Sequence, residues 1–324
     1  MQIKKLIKCN GVSGYENEIR KVIIDSITDF VDEIYVDNIG NITAIKRGKY
    51  EKNKKKTLIM THMDEVGVQI TSIESDGKVK FKALGSLKVS NLYMQRIKLN
   101  KDLVGLVVSE VDIRNMDVRD TENLSIDFGF NSKAEATKYI DIGDIGVFLD
   151  DYTENESIII SKAIDNRISC AISIKLIKEI QELKNDIYFT FTVQEELGLK
   201  GAKVVGHKIR PDIAIVIDTI DVQNISNIEL GEGPAIKVSD SLTICDSGIV
   251  ENLKLICKRS SINYQIEVSD IGGTELFALE ELGEDIKCAG ISVPIKYSHT
   301  SSSMIKKSDI YSSYNLIKTF LSEY

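Results

Sequence analysis

After residue 160 the chain alternates helix-like segments with short β-branched runs, and this alternation limits its possible folds more than any other feature. NRISCAISIKLIKEIQELK (166–184), SGIVENLKLICKRSS (247–261) and residues 307–323 read as helices; IYFTFTVQ (187–194), IAIVIDT (213–219) and NYQIEVSD (263–270) read as strands. IYFTFTVQ is β-branched and aromatic enough for a strand covered on both faces. Helix and strand in turn predict an α/β fold, a mixed, mostly parallel sheet sandwiched by helices.

The amino-terminal part fits the same layers. YENEIRKVIIDSITDFV (15–31) predicts an amphipathic helix, with Ser13 placed to cap it. EIYVDNIGNITAIKRG (33–48) predicts two short strands around a turn, and KTLIMTHM (56–63) a further strand. From about 66 to 158 the pattern is instead alternating β, with a hairpin at Asp76-Gly77 and one short helical stretch at 132–140. The simplest organisation is an α/β domain formed by residues 1–66 and 159–324, interrupted by an inserted β-rich domain at 67–158.

Composition removes several function classes. The 324 residues are 43% hydrophobic and 28% charged, ordinary for a globular protein, and no apolar run approaches the ~20 residues a membrane helix needs. MQIKKLIKCNGVSG reaches Asn10 and Gly11 before a signal-peptide stretch develops, so a cytoplasmic location is expected. A net charge of −8 opposes binding to polyphosphate, and the basic cluster KNKKK (52–56) reads as a solvated turn; nucleic acid is not an expected partner. Cys9, Cys170, Cys245, Cys257 and Cys288 are widely spaced without a CxxC pair, and read as buried thiols.

The chemistry-bearing residues gather where strands stop. His62 ends LIMTHM, and Asp64 two residues on shares its side of an extended chain, so it can hold one ring nitrogen and aim the other at a ligand; an ordinary strand-end pair is the alternative. His299 lies among hydroxyl residues in KYSHTSSS, whereas His207 reads as a surface histidine at a helix end. Asp165 precedes a helix and could simply cap it. Asp218 closes an apolar strand, and Glu195 and Glu196 follow another. In an open parallel sheet such positions converge in the crevice beyond the carboxyl ends of the strands. There, Asp165, Glu196, Asp218 and a hydroxide would balance the four charges of two divalent cations, with neutral His62 and His299 completing the shells. Glu195 would remain as a general base, because adjacent residues of an extended segment point apart.

GVSGYE (11–16), DNIGNI (37–42), THMDEVG (61–67), KAIDNR (162–167), VQEELGLKGA (193–202), IDTID (217–221), GEGPAI (231–236), GGTE (272–275) and KYSHT (296–300) together resemble the M42 family of metallo-aminopeptidases. Within the insert, LSIDFGFNSKAEA (124–136) and IDIGDIGVF (140–148) are also similar to that family. The resemblance implies a zinc-peptidase-like fold in which His62, Asp165, Glu196, Asp218 and His299 hold two metal ions, zinc foremost, with cobalt or manganese as alternatives. It further implies that Asp165 bridges the ions, that Glu195 is the general base and that Asp64 supports His62. Short peptides would be the substrates, and the insert would serve dimerisation and assembly of a homo-oligomer, up to a dodecamer. The chain departs from the family at HTSSS (299–303), where Ser-Pro and an acid usually follow the histidine, and at Glu275, where Asp is commoner; both departures bear on the substrate mouth.

Three other readings compete. An N-acyl amino acid deacylase would use the same two-metal site. A glycosidase needs two carboxylic acids but has no requirement for His62 or His299. A catalytically silent binding protein would be marked by loss of a ligand or base, and none is lost here.

Overall fold

The computed structural model describes residues 1–49 and 54–323. Its larger sheet runs, in spatial order, through Glu33–Val36, Ile42–Lys46, Asp186–Thr192, Lys56–His62, Ile213–Asp221, Lys287–Lys296, Ser303–Lys306, Ile158–Ser161 and Thr153–Glu154. Ala235–Ser239 and Gln265–Val268 extend from the Lys287–Lys296 strand.

Parallel pairing is confined to the middle of this sheet and to one side branch. Asp186–Thr192, Lys56–His62, Ile213–Asp221 and Lys287–Lys296 pair in parallel, as do Ala235–Ser239 and Gln265–Val268, but the other neighbours are antiparallel. The sheet is therefore mixed, and the expected mostly parallel character stops at its centre. For the outermost pair the physical reason is loop length. Glu33–Val36 and Ile42–Lys46 are joined by a tight turn in which Asp37 Oδ1 accepts from the backbone N–H groups of Gly40 and Asn41, both at 2.9 Å. So short a connection permits only antiparallel pairing, because a parallel crossover needs a dozen or more residues.

The central strands are buried on both faces, as every residue from Thr57 to His62 shows. Against them lies the helix Ile164–Glu179, which also meets Ile3–Ile7, Asn17–Ile27 and Lys307–Glu323. Covered on so many sides, it buries Ser169, Cys170, Ala171 and Ser173 along with its isoleucines. Lys200–Ile209 packs against Glu275–Glu280. The amino-terminal helix is Asn17–Ile27, with Glu16 rather than Ser13 at its cap position.

Residues 67–148 contain a separate closed barrel of Gly67–Ile73, Val79–Leu84, Leu124–Asp127, Val104–Ser109, Arg96–Leu99 and Ile145–Phe148, antiparallel throughout. Closure removes the exposed sheet edges that a small β unit would otherwise present. Its interior is a second core around Val68, Ile70, Phe81, Leu99, Val107, Ile126 and Phe148. Gly77 occupies the predicted hairpin at φ 92°, a conformation that favours glycine. The chain rejoins the large sheet at Thr153–Glu154, before residue 158.

Lys52 and Asn53 of the basic cluster lie outside the described residues; Lys54 pairs with Asp186 at 3.2 Å and Lys56 opens a strand. All five cysteines are buried and free. No helix among the described residues is long and apolar enough to cross a membrane.

Candidate active site

Three parallel strands deliver their residues to one edge. His62 is the last residue of its strand, level with Thr192 on one side, and the register of Met60 with Val216 sets Asp218 level with it on the other. His62 Nε2 accordingly lies 3.5 Å from Asp218 Oδ1. Asp165 comes from the start of the long helix, where it and Asn166 have non-helical torsions and are joined by a cis peptide bond. Its Oδ1 is 3.4 Å from His62 Nε2, and its Oδ2 is 3.4 Å from His299 Nε2. His299 Nε2 is also 3.0 Å from Glu196 Oε1.

The result is two three-residue groups, His62–Asp165–Asp218 and Asp165–Glu196–His299, each with donor atoms within 4.8 Å of one another. Asp165 belongs to both. Glu195 lines the same cavity of about 420 Å³ but belongs to neither group. Glu195 and Glu196 separate through a tight turn rather than by strand alternation: Gln194 has φ 54°, and the N–H groups of Gly198 and Leu199 return to the Glu195 carbonyl at 3.0 and 2.9 Å. Ala163, Gln194 and His299 all sit at positive φ, and such non-glycine residues cost about 1–3 kcal/mol each, so the surrounding structure must hold them.

Asp64 lies beneath, fully buried, with Oδ1 3.5 Å from His62 Nδ1. It accepts hydrogen bonds from Ser13 Oγ at 2.5 Å and from the backbone N–H groups of Glu195 and Glu196 at 3.0 and 3.2 Å. One carboxylate thereby ties the His62 strand end to the Glu195–Glu196 turn. Burial alone would raise its pKa, but His62, Ser13 and Glu195 N–H hold it below the usual value. His299 is fixed from the barrel side. Its Nδ1 lies 3.0 Å from the Ser86 carbonyl, and its own carbonyl accepts from Asn91 Nδ2 at 3.0 Å. A donating Nδ1 leaves the Nε2 lone pair facing Asp165 and Glu196.

A buried ionic cluster joins the flanking segments. Glu65 accepts from Lys162 Nζ at 2.6 Å and from Arg167 Nη2 at 3.1 Å, while Arg167 Nη1 donates to the carbonyls of Leu6 and Cys9 at 2.7 and 3.1 Å. Lys162 and Arg167 bracket Asp165 in sequence, and Glu65 follows Asp64. Neither this cluster nor the Ser13 and Ser86 contacts were predicted from sequence, because each joins distant chain segments.

Electrostatics at the site are dominated by acids. Burial would lower the pKa of His62, but Glu195, Asp165 and Asp218 outweigh it and raise it well above the ordinary imidazole value. Burial likewise works against ionising Asp165, yet His299 and His62 bring its pKa far below the usual carboxylate range. Asp165 Oδ1, 3.4 Å from His62 Nε2, is buried without a hydrogen-bond partner. Imidazole and carboxylate donors converging on such an unsatisfied buried oxygen fit divalent cations.

The two departures fall away from the cavity wall. Glu275 is buried behind the strand ends, where Thr192 Oγ1 donates to its Oε1, while the neighbouring Gly272, Gly273 and Thr274 line the cavity. Ser301 donates to Gln95 at 2.6 Å and Ser303 to the Tyr297 carbonyl at 2.8 Å, leaving Ser298 and His299 at the wall. His207 is exposed in the last turn of its helix, remote from the cavity lining.

The chain is similar to known proteins along nearly its whole length. The model of the M42 glutamyl aminopeptidase family matches residues 40–316. A putative aminopeptidase of Acetivibrio thermocellus is 39% identical over 320 residues, covering 97% of this chain and 96% of that protein. Among solved structures, an aminopeptidase from the archaeon Desulfurococcus kamchatkensis superposes with a TM-score of 0.92 at 30% identity, covering 99% of this chain and 94% of that one. The Pyrococcus horikoshii TET1 peptidase, described as assembling into a tetrahedron or a large octahedral shell, gives 0.88 at 31% identity with 98% of each chain covered. The protein belongs to the M42 peptidase family. It is an aminopeptidase, a hydrolase of the peptide bond at an amino terminus.

Proposed function

We propose that the protein releases amino-terminal residues from short peptides with two divalent metal ions, one held by His62, Asp165 and Asp218 and the other by Asp165, Glu196 and His299. The observation that carries this reading is Asp165, whose two oxygens face two different imidazoles at 3.4 Å each. Cations bound there would polarise the scissile carbonyl and acidify a water molecule. The mixed imidazole and carboxylate donors suit zinc, with cobalt and manganese as alternatives.

Glu195 is the general base. Uncommitted to either donor group and facing the cavity, it takes the proton of the attacking water and delivers it to the leaving amine. Asp64 holds His62 by Nδ1 so that Nε2 faces the acids. Residues 1–66 and 159–324 form the catalytic domain in this reading, and 67–158 an assembly domain of a homo-oligomer. The assembling TET1 relative supports that last part.

The family match favours peptide hydrolysis over N-acyl amino acid deacylation. A glycosidase leaves the two imidazoles without a task.

Glu195→Gln tests the mechanism. Turnover should fall by about 10²–10⁴-fold while metal content stays unchanged. Loss of metal together with activity would show that Glu195 is a ligand instead.

A further inference from the structure

Outside the two donor groups, the same cavity has a buried, charged floor. Lys237 on Ala235–Ser239 and Glu267 on Gln265–Val268 are register partners, and both line the cavity. Lys237 Nζ donates to Glu267 Oε1 and, at 3.3 Å, to Asp240 Oδ2. Asp240 is otherwise satisfied, its Oδ1 accepting from the N–H groups of Leu242 and Thr243, both at 3.0 Å, and from the Thr243 hydroxyl at 2.9 Å. Glu267 is 0% exposed, and its Oε2 has no hydrogen-bond partner; the Ser292 hydroxyl nearby lies outside hydrogen-bonding geometry. Leu242 and Ile271, each about half exposed, form apolar walls of the same cavity.

Charge decides what such a floor accepts. One ammonium faces two carboxylates, a net single negative charge. An incoming carboxylate would join two buried acids around an ammonium already donating to both, which like-charge repulsion opposes. An apolar side chain would leave Glu267 Oε2 unpaired in a dehydrated pocket, and a site with an unmet polar group discriminates against a ligand that cannot meet it. A cationic side chain meets both conditions, with its methylene stem against Leu242 and Ile271 and its charged head at Glu267.

We infer that this pocket receives the side chain of the substrate's first residue and selects a basic one, lysine or arginine, through Glu267, with Lys237 and Asp240 holding that carboxylate in place. The inference rests on the aminopeptidase reading above.

The test is a panel of lysyl, arginyl, leucyl and glutamyl anilides with the full-length, metal-loaded protein. The expected kcat/KM for a lysyl or arginyl substrate exceeds that for leucyl by about tenfold or more, with glutamyl slowest. Glu267→Gln should lower the basic-to-leucyl ratio by about tenfold. Leucyl or glutamyl substrates turning over fastest, or a variant slowed equally on all four, would overturn the assignment. If that variant does not fold, the wild-type ranking decides alone. Hydrolysis of acetylated amino acids with no turnover of any anilide or dipeptide would overturn the aminopeptidase reading itself, and this assignment with it.

Discussion

The carboxylate of Asp64 accepts the backbone N–H of Glu195 at 3.0 Å, although the two residues are 131 positions apart. The same side chain lies 3.5 Å from His62 Nδ1, so a single group sets the relation between the His62 imidazole and the Glu195–Glu196 turn. Asp64→Asn should weaken metal binding by about 10–100-fold and leave residual activity at saturating metal, as loss of an outer-shell partner does. Metal titration of wild type and variant checks this, and an unchanged affinity would remove Asp64 from the site's support.

Glu65 is the shared anion of two buried cations, Lys162 and Arg167, all three at most 3% exposed at the side chain. Glu65→Ala leaves both cations unpaired and should cost about 3–5 kcal/mol of stability, read from the shift in denaturant midpoint at unchanged slope. A shift worth under about 1 kcal/mol would mean that water reaches the cluster.

Burial pushes the Glu275 carboxyl up to about 8, with His62 and the Thr192 hydroxyl only partly opposing the rise. Its folded-state pKa lies above its ordinary 4.5, so the folded state binds the extra proton. The associated stability is present below pH 4.5 and is lost as pH rises through about 8. In chelator-treated protein, wild type should therefore lose stability relative to Glu275→Gln by about 1.4 kcal/mol per pH unit within that window. Parallel stability curves for the two proteins would show that Glu275 is ionised throughout.

The residues of the site were legible in the sequence wherever a strand end exposed them. His62, Glu196 and Asp218 sit at the ends of apolar runs, and period-two spacing placed Asp64 beside His62. What escaped is what depends on tertiary closure. The Ser13 hydroxyl reaches Asp64 across 51 residues instead of capping the next helix, and the Ser86 carbonyl reaches His299 across 213. A backbone carbonyl carries no sequence signal at all. The parallel centre of the large sheet was visible in its apolar runs, whereas the direction of its outer strands depended on turn geometry at Asp37–Asn41 and on where distant segments such as Ile158–Ser161 dock. The helix Ile164–Glu179 shows the same limit, because its burial comes from neighbours brought in from both ends of the chain.

Anomalous diffraction from metal-soaked crystals addresses the central claim most directly, because it locates ions independently of activity. Two peaks on either side of the Asp165 carboxylate are expected, about 3.5–4 Å apart, one facing His62 and Asp218 and the other Glu196 and His299. A single peak, or none between those residues at saturating zinc, cobalt and manganese, would contradict it.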